Sequence, residues 1–157
     1  MIIASNTTEL TKALRKVRAQ KESLAFVPTM GNLHQGHLSL IHQGLSVADK
    51  VAVSIFINPM QFCSNEDLGS YPRTLKADLE MLHSANVSLA FTPTAADIYP
   101  YGIQHQTTIQ VPALSQILCG AFRPGHFDGV CTVIYKLFHL IQPEIALFGE
   151  KDLQQLL

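Results

Sequence analysis

Seven consecutive residues, Val51-Ala52-Val53-Ser54-Ile55-Phe56-Ile57, are apolar at every position but one. A strand with one wet face alternates apolar and polar side chains, so a continuous run reads as a strand buried on both faces. Three shorter runs repeat the pattern: Leu24–Val27, stopped by Pro28, then Val87–Phe91 and Ile145–Phe148. Helical spacing fills the intervals. Asn6 reads as an N-cap with Glu9 as its capping-box partner, and Leu10, Ala13, Leu14 and Val17 line a helix running to about Gln20. Leu38, Ile41, Leu45 and Ala48 mark a second helix. Leu75, Leu79 and Leu82 form the inward face of a third that runs to Asn86. Val130, Val133, Ile134, Leu137, Phe138 and Ile141 stripe a fourth, which Pro143 ends. Strands alternating with helices predict an α/β fold, a doubly wound parallel sheet covered by helices.

The intervals left over read as loops. Residues 63–71 are polar and carry Gly and Asn, the pattern of a mobile loop, and 93–107 has no periodicity. Thr107–Val111 reads as a short edge strand, and a new helix begins near Lys151. With 157 residues, 47% of them hydrophobic, the chain suits one domain with a real core and excludes a disordered one. Eleven basic against 12 acidic residues give a net charge of −1, which argues against a broad basic surface for nucleic acid. No stretch approaches the ~18–20 apolar residues of a membrane span, so no membrane partner is expected. The N-terminus is polar from Ser5 onward, unlike a secretory signal. Cys63, Cys119 and Cys131 are odd in number and far apart, which suits a reducing cytoplasm.

In doubly wound sheets, ligands bind beyond the carboxyl ends of the strands. Three polar motifs fall at such ends. Pro28-Thr29-Met30-Gly31 follows the 24–27 strand, and His34-Gln35-Gly36-His37 beyond it opens a helix, where free N–H groups and the helix dipole favour an anion. Gly36 admits close approach of a phosphate, and the two imidazoles can donate to charge developing on phosphorus. Two ordinary loop histidines are the plain alternative; a helical zinc pair would sit at i,i+4 with a third ligand. Asn58-Pro59-Met60-Gln61 follows the 51–57 strand and offers uncharged donors and acceptors for a small hydroxylated acid, or simply a satisfied Asn turn. Gly149-Glu150-Lys151-Asp152 follows the 145–148 strand; Lys151 can neutralise triphosphate charge, and Gln155 lies one turn on.

Two further segments are weaker. In Tyr71-Pro72-Arg73-Thr74, Thr74 can cap the next helix, while Asp78 reads as solvated or as near a phosphate-bound metal. In Arg123-Pro124-Gly125-His126-Phe127-Asp128-Gly129, Arg123 can bind a carboxylate or phosphate, His126 reads as structural, and Asp128 suits a helix's first turn.

Taken together, FVPTMGNLHQGH (26–37), VSIFINPMQF (53–62), YPRT (71–74), RPGHFDGV (123–130) and LFGEKDLQQL (147–156) resemble the pantothenate synthetase family of pantoate–β-alanine ligases. The resemblance implies a Rossmann-like domain of the HxGH nucleotidyltransferase type, with residues 1–157 as its N-terminal ATP- and pantoate-binding domain. It implies ATP as a substrate with Mg²⁺, pantoate and β-alanine as the other substrates, and a cytoplasmic homodimer in the coenzyme A pathway. Pantoate would attack the α-phosphorus of ATP to give pantoyl adenylate, and β-alanine would then displace AMP. By the same resemblance, His34, His37 and Lys151 are catalytic. Met30, Gly31, Asn32, Leu33, His34, Gln35, Gly36, His37, Gly149, Glu150, Lys151 and Asp152 bind ATP. Gln61, Gln155, Asn58 and Arg123 serve pantoate or β-alanine.

The chain departs from the family at Asp128, where Arg is common, and in length. Ending at Leu157, it reads as a fragment without the family's C-terminal domain, expected to fold but to couple its substrates poorly. The alternatives are another HxGH nucleotidyltransferase, which would not need Gln61 and Gln155, or a non-catalytic nucleotide-binding module.

Overall fold

Five parallel strands form the centre of the computed structural model, which describes residues 1–19, 21–63 and 66–157. They are β1 (Ile2–Ala4), β2 (Leu24–Thr29), β3 (Lys50–Ile55), β4 (Leu89–Phe91) and β5 (Ile145–Ala146), in spatial order β1-β4-β3-β2-β5. The helices are α1 (Thr7–Val17), α2 (Gln35–Val47), α3 (Leu75–Ser84), α4 (Ala95–Ile98), α5 (Cys119–Phe122), α6 (His126–Ile141) and α7 (Leu153–Leu156). Successive residues of a strand point to opposite faces. Ala52 therefore joins Leu10, Phe26, Leu89, Leu137 and Ile141 under α1 and α6. Val51 and Val53 join Ala25, Val27, Ile41 and Leu82 under α2 and α3. Two covered faces explain why β3 carries no apolar–polar alternation. Phe26, wholly buried, contributes about 1.5–3 kcal/mol by transfer alone.

The chain runs from β2 through α2 to β3 on one side and later reaches β5 on the other side of β2. The order therefore reverses between β2 and β5, and their carboxyl ends flank the crevice where ligands bind in such sheets.

Several expected boundaries move. β1 was not read from the sequence: three residues at an edge carry too little pattern. Asn6 caps α1 through the Glu9 N–H at 2.9 Å, but the Glu9 carboxylate turns to the Ser5 N–H and hydroxyl, each at 2.8 Å. α1 ends at Val17, and its expected end at Gln20 lies outside the described residues. β2 continues through Pro28 to Thr29. The carbonyls of Leu24 and Phe26 face β5, so the missing N–H of Pro28 also falls on that side, beyond the last β5 pairing at Ala146. α3 ends at Ser84, and Leu75 is exposed while Asp78 is buried. Residues 93–107 include the short α4. Thr107–Val111 forms no strand; the Ile109 N–H bonds the Thr132 hydroxyl of α6 at 2.9 Å. Of the 63–71 loop, Ser64 and Asn65 lie outside the described residues.

The Pro59–Gln61 turn packs on the first turn of α6, where a Cβ on Gly129 would stand 2.3 Å from the Met60 carbonyl oxygen. Gly129→Ala is expected to push the turn away and cost about 1–3 kcal/mol, read as a lower urea midpoint with an unchanged slope.

Candidate active site

β2 ends in a tight loop. The Thr29 hydroxyl donates to the Ser54 carbonyl at 2.7 Å and accepts from the Gly31 N–H at 3.2 Å. Gly31 has φ +85°, and a Cβ there would meet Asp78 Oδ2 at 3.0 Å, so both conformation and space require glycine. Asp78 is 2% exposed and clamps the loop from α3. Its carboxylate accepts from the Asn32 N–H at 3.1 Å, the Leu33 N–H at 2.9 Å and the Thr74 hydroxyl at 3.0 Å. The solvated reading of Asp78 is thus corrected, while Thr74 does stand at the N-cap of α3, its hydroxyl donating to this carboxylate and not capping a backbone N–H.

The loop delivers His34 to the N-cap of α2. His34 Nδ1 accepts from the Gly36 N–H at 3.0 Å, and His37 Nδ1 accepts from the His34 N–H at 3.3 Å. This reciprocal capping box made of two imidazoles sets the ring centroids 4.2 Å apart. Because each Nδ1 is an acceptor, the neutral rings carry their proton on Nε2 and keep a donor for a ligand at the positive end of the helix. Burial, reinforced by the neighbouring His34, holds His37 below the ordinary histidine value of 6.5.

Gly149 leads into a 3₁₀ turn, Glu150–Asp152, beyond β5. Lys151 bonds Asp152 at 3.2 Å, yet its side chain is 89% exposed, so the pair constrains it little. Both charges bear on His37, Asp152 raising and Lys151 lowering its pKa. The HxGH and GEKD motifs thus follow the two strands, β2 and β5, that flank the switch point.

Asn58 is 1% exposed and fully bonded within the protein. Its carbonyl accepts from the Tyr99 hydroxyl at 2.6 Å and the Met60 N–H at 3.2 Å; its amide donates to Gln61 Oε1 and the Gly129 carbonyl, each at 3.2 Å. It holds the pocket wall and orients Gln61, leaving no free hydrogen for a substrate. Burial pushes the Tyr99 phenol up, which keeps it a neutral donor. Tyr99 was not singled out from the sequence, since no local pattern marks a loop tyrosine as the partner of a residue 41 positions away.

The structure sets Arg123 against protein partners. A bidentate pair with Glu66, at 2.7 and 3.0 Å, and a third bond to His126 at 2.9 Å engage the guanidinium. Gln155 lies exposed on α7, whereas Gln154 anchors that turn to the Leu114 and Ile117 carbonyls and the Cys119 N–H. Asp128 accepts from Gln110 at 3.0 Å. A cavity of about 440 Å³ opens at the ends of β2, β3 and β4, lined by Met30, Gly31, Ile57, Pro59, Arg73 and Thr92. Thr92, between the expected strand end at Phe91 and the loop from 93, was not singled out, although its place directly after a strand was a usable signal.

A parallel sheet with a histidine-capped helix and a lysine turn on either side of its switch point defines the class: an α/β domain with the nucleotidyltransferase-like fold. A family model described as "Pantoate-beta-alanine ligase" matches residues 2–157, and the chain belongs to that family. The pantothenate synthetase of Shewanella baltica is 55% identical over 157 residues, covering 100% of this chain and 56% of that protein. A crystal structure of pantothenate synthetase from Thermus thermophilus superposes with a TM-score of 0.92 at 45% identity, over 99% of this chain and 54% of that one. The pantoate–β-alanine ligase of Francisella tularensis, crystallised with β,γ-ATP and β-alanine, gives 0.93 at 42% identity, over 99% and 59%. The chain spans about half the length of the relatives it matches.

Two outcomes follow from the loop and its histidines. Asp78→Asn, which turns an acceptor into a donor against buried N–H groups, is expected to lower unfolding free energy by about 1–3 kcal/mol. A depressed His37 pKa means the unfolded chain binds more protons, so the His37 contribution to stability is full above pH 6.5 and is lost as pH falls through the lower folded value. Urea titrations between pH 7.5 and 5 should show that component in the wild type and lose it in His37→Gln.

Proposed function

We propose that this chain carries the ATP and pantoate sites of an AMP-forming ligase that condenses pantoate with β-alanine. The observation that carries the reading is the pair of imidazoles that cap α2 through Nδ1 and leave Nε2 as a donor for a ligand, beside the β2–β5 switch point from which the Gly149–Asp152 turn also emerges. ATP lies with its phosphates on these donors, and Met30 to Leu33 and Gly149 to Asp152 form the two walls. Pantoate sits beside Gln61 and Gln155 with its carboxylate directed at the α-phosphorus. Attack forms the acyl–phosphate bond of pantoyl adenylate and breaks the bond to pyrophosphate. The β-alanine amine then attacks the acyl carbon, loses a proton and displaces AMP.

His34 and His37 act through charge stabilisation at the α-phosphorus, because phosphoryl chemistry is governed by electrostatics and positioning. A His37 kept neutral donates its Nε2 proton without adding a formal charge. Lys151, long and exposed, is free to follow the phosphate charge. Among the described residues no group of three or more His, Cys, Asp or Glu could hold a metal, and both oxygens of Asp78 already accept protein hydrogen bonds. That donor set fits a magnesium ion held by the triphosphate itself, where it neutralises charge. Cytoplasmic location and a homodimer complete the reading by family resemblance.

Calorimetric titration tests it. ATP with Mg²⁺ and then pantoate should each bind the chain, with His34→Ala and His37→Ala weakening ATP about tenfold and Gln61→Ala weakening pantoate alone. Pantoate binding indifferent to Gln61→Ala would put the acid elsewhere, and nucleotide binding indifferent to both histidine changes would remove the basis of the assignment.

A further inference from the structure

Glu66, Arg123 and His126 form a directed chain of hydrogen bonds that ends on Gln61. The Glu66 carboxylate accepts from Arg123 Nε at 2.7 Å and Nη2 at 3.0 Å. Arg123 Nη1 lies 2.9 Å from His126 Nε2, and His126 Nδ1 lies 2.7 Å from the Gln61 carbonyl oxygen. Guanidinium has donors only, so His126 Nε2 must accept; the ring proton then sits on Nδ1 and is donated to Gln61. Each link has one allowed polarity, imposed by the arginine.

The far end of the chain is held from other directions as well. Asn58 donates to the Gln61 side chain at 3.2 Å, and the surface of Gly129 fits against the Gln61 Cα, which a Cβ would approach to 2.8 Å. Gln61 is thus gripped at main chain, Cα and side chain. The ion pair at the near end is partly open to solvent, with side chains 37% and 29% exposed. Such pairs contribute little to stability. The consequence of this one lies in where it points the imidazole.

We propose that Glu66, Arg123 and His126 are positioning residues that fix the tautomer of His126 and, through it, the place of Gln61 in the pocket for the hydroxylated acid. The proposal rests on the reading of Gln61 as a contact to that acid. None of the three touches a substrate; they set the pose of one that does.

Nitrogen-15 NMR of the histidine rings, combined with calorimetry on the intact chain, tests it. Wild type should show His126 as the Nδ1–H tautomer. Arg123→Met should give a mixture of tautomers, shift the Gln61 amide signals and weaken pantoate about tenfold while ATP binding holds. Glu66→Gln, the milder change, should move the same signals less. In His126→Asn, whose amide can still donate to Gln61 but does not read Arg123, adding Arg123→Met should have no further effect on pantoate or on the Gln61 signals. An Nε2–H tautomer in wild type overturns the proposal. So does an Arg123→Met chain whose Gln61 signals match wild type, or an equal loss from Arg123→Met with and without His126→Asn. If Gln61→Ala binds pantoate like wild type, the ligand reading of Gln61 fails instead, and the His126 tautomer and Gln61 signals judge the relay alone.

Discussion

β2 and β3 pair in parallel over six residues each, with helices against both faces. Parallel strands are stable only when covered on both sides, and each pair needs a helical crossover to return the chain. That constraint governs the rest of the molecule. It makes the strands apolar throughout and brings every strand out at the same edge. The polar residues that follow β2, β3 and β5 are gathered there although more than a hundred positions separate His34 from Lys151 in the chain.

Two buried polar side chains turn this edge into a shaped site. Asp78 accepts from the loop after β2, and Asn58 ties the turn after β3 to α6 and Tyr99. In both cases backbone groups that cannot join the sheet find their partners in a side chain, which is what an ordered loop in a dry setting requires. The histidines use the same device at the surface: His34 and His37 cap one another's backbone and are thereby oriented. Closed and open polar residues are thus neighbours along this edge. Asn58 and Asp78 are closed off, while Lys151 stands in solvent.

Motif reading succeeded where local sequence dictates local geometry. Polar residues that can cap a helix start, a Pro after Asn58 and a run of strand-forming residues each favour one local structure, and the protein adopts it. The same reading failed where a residue's role depends on a distant partner. Arg123 has the chemistry of an anion ligand, but Glu66, 57 positions away, meets it first. Asp78 has the pattern of a surface helix carboxylate, yet the loop before α2 folds down upon it. Gln154 and Gln155 look alike in sequence, and only the packing of α7 against the Leu114–Ile117 segment turns the first inward.

The sequence by itself determined the order of β2 to β5 and of the four longer helices, the parallel sheet and the three strand ends where polar motifs emerge, because hydrophobic periodicity and turn chemistry are local. Tertiary structure alone decided the strand order that puts β5 beside β2, the burial of Asp78 and Asn58, the pairing of Glu66 with Arg123 and the line of hydrogen bonds from Arg123 to Gln61. Those depend on which surfaces meet, and the free energy of a buried hydrogen bond is set by the partner that arrives and not by the residue that waits.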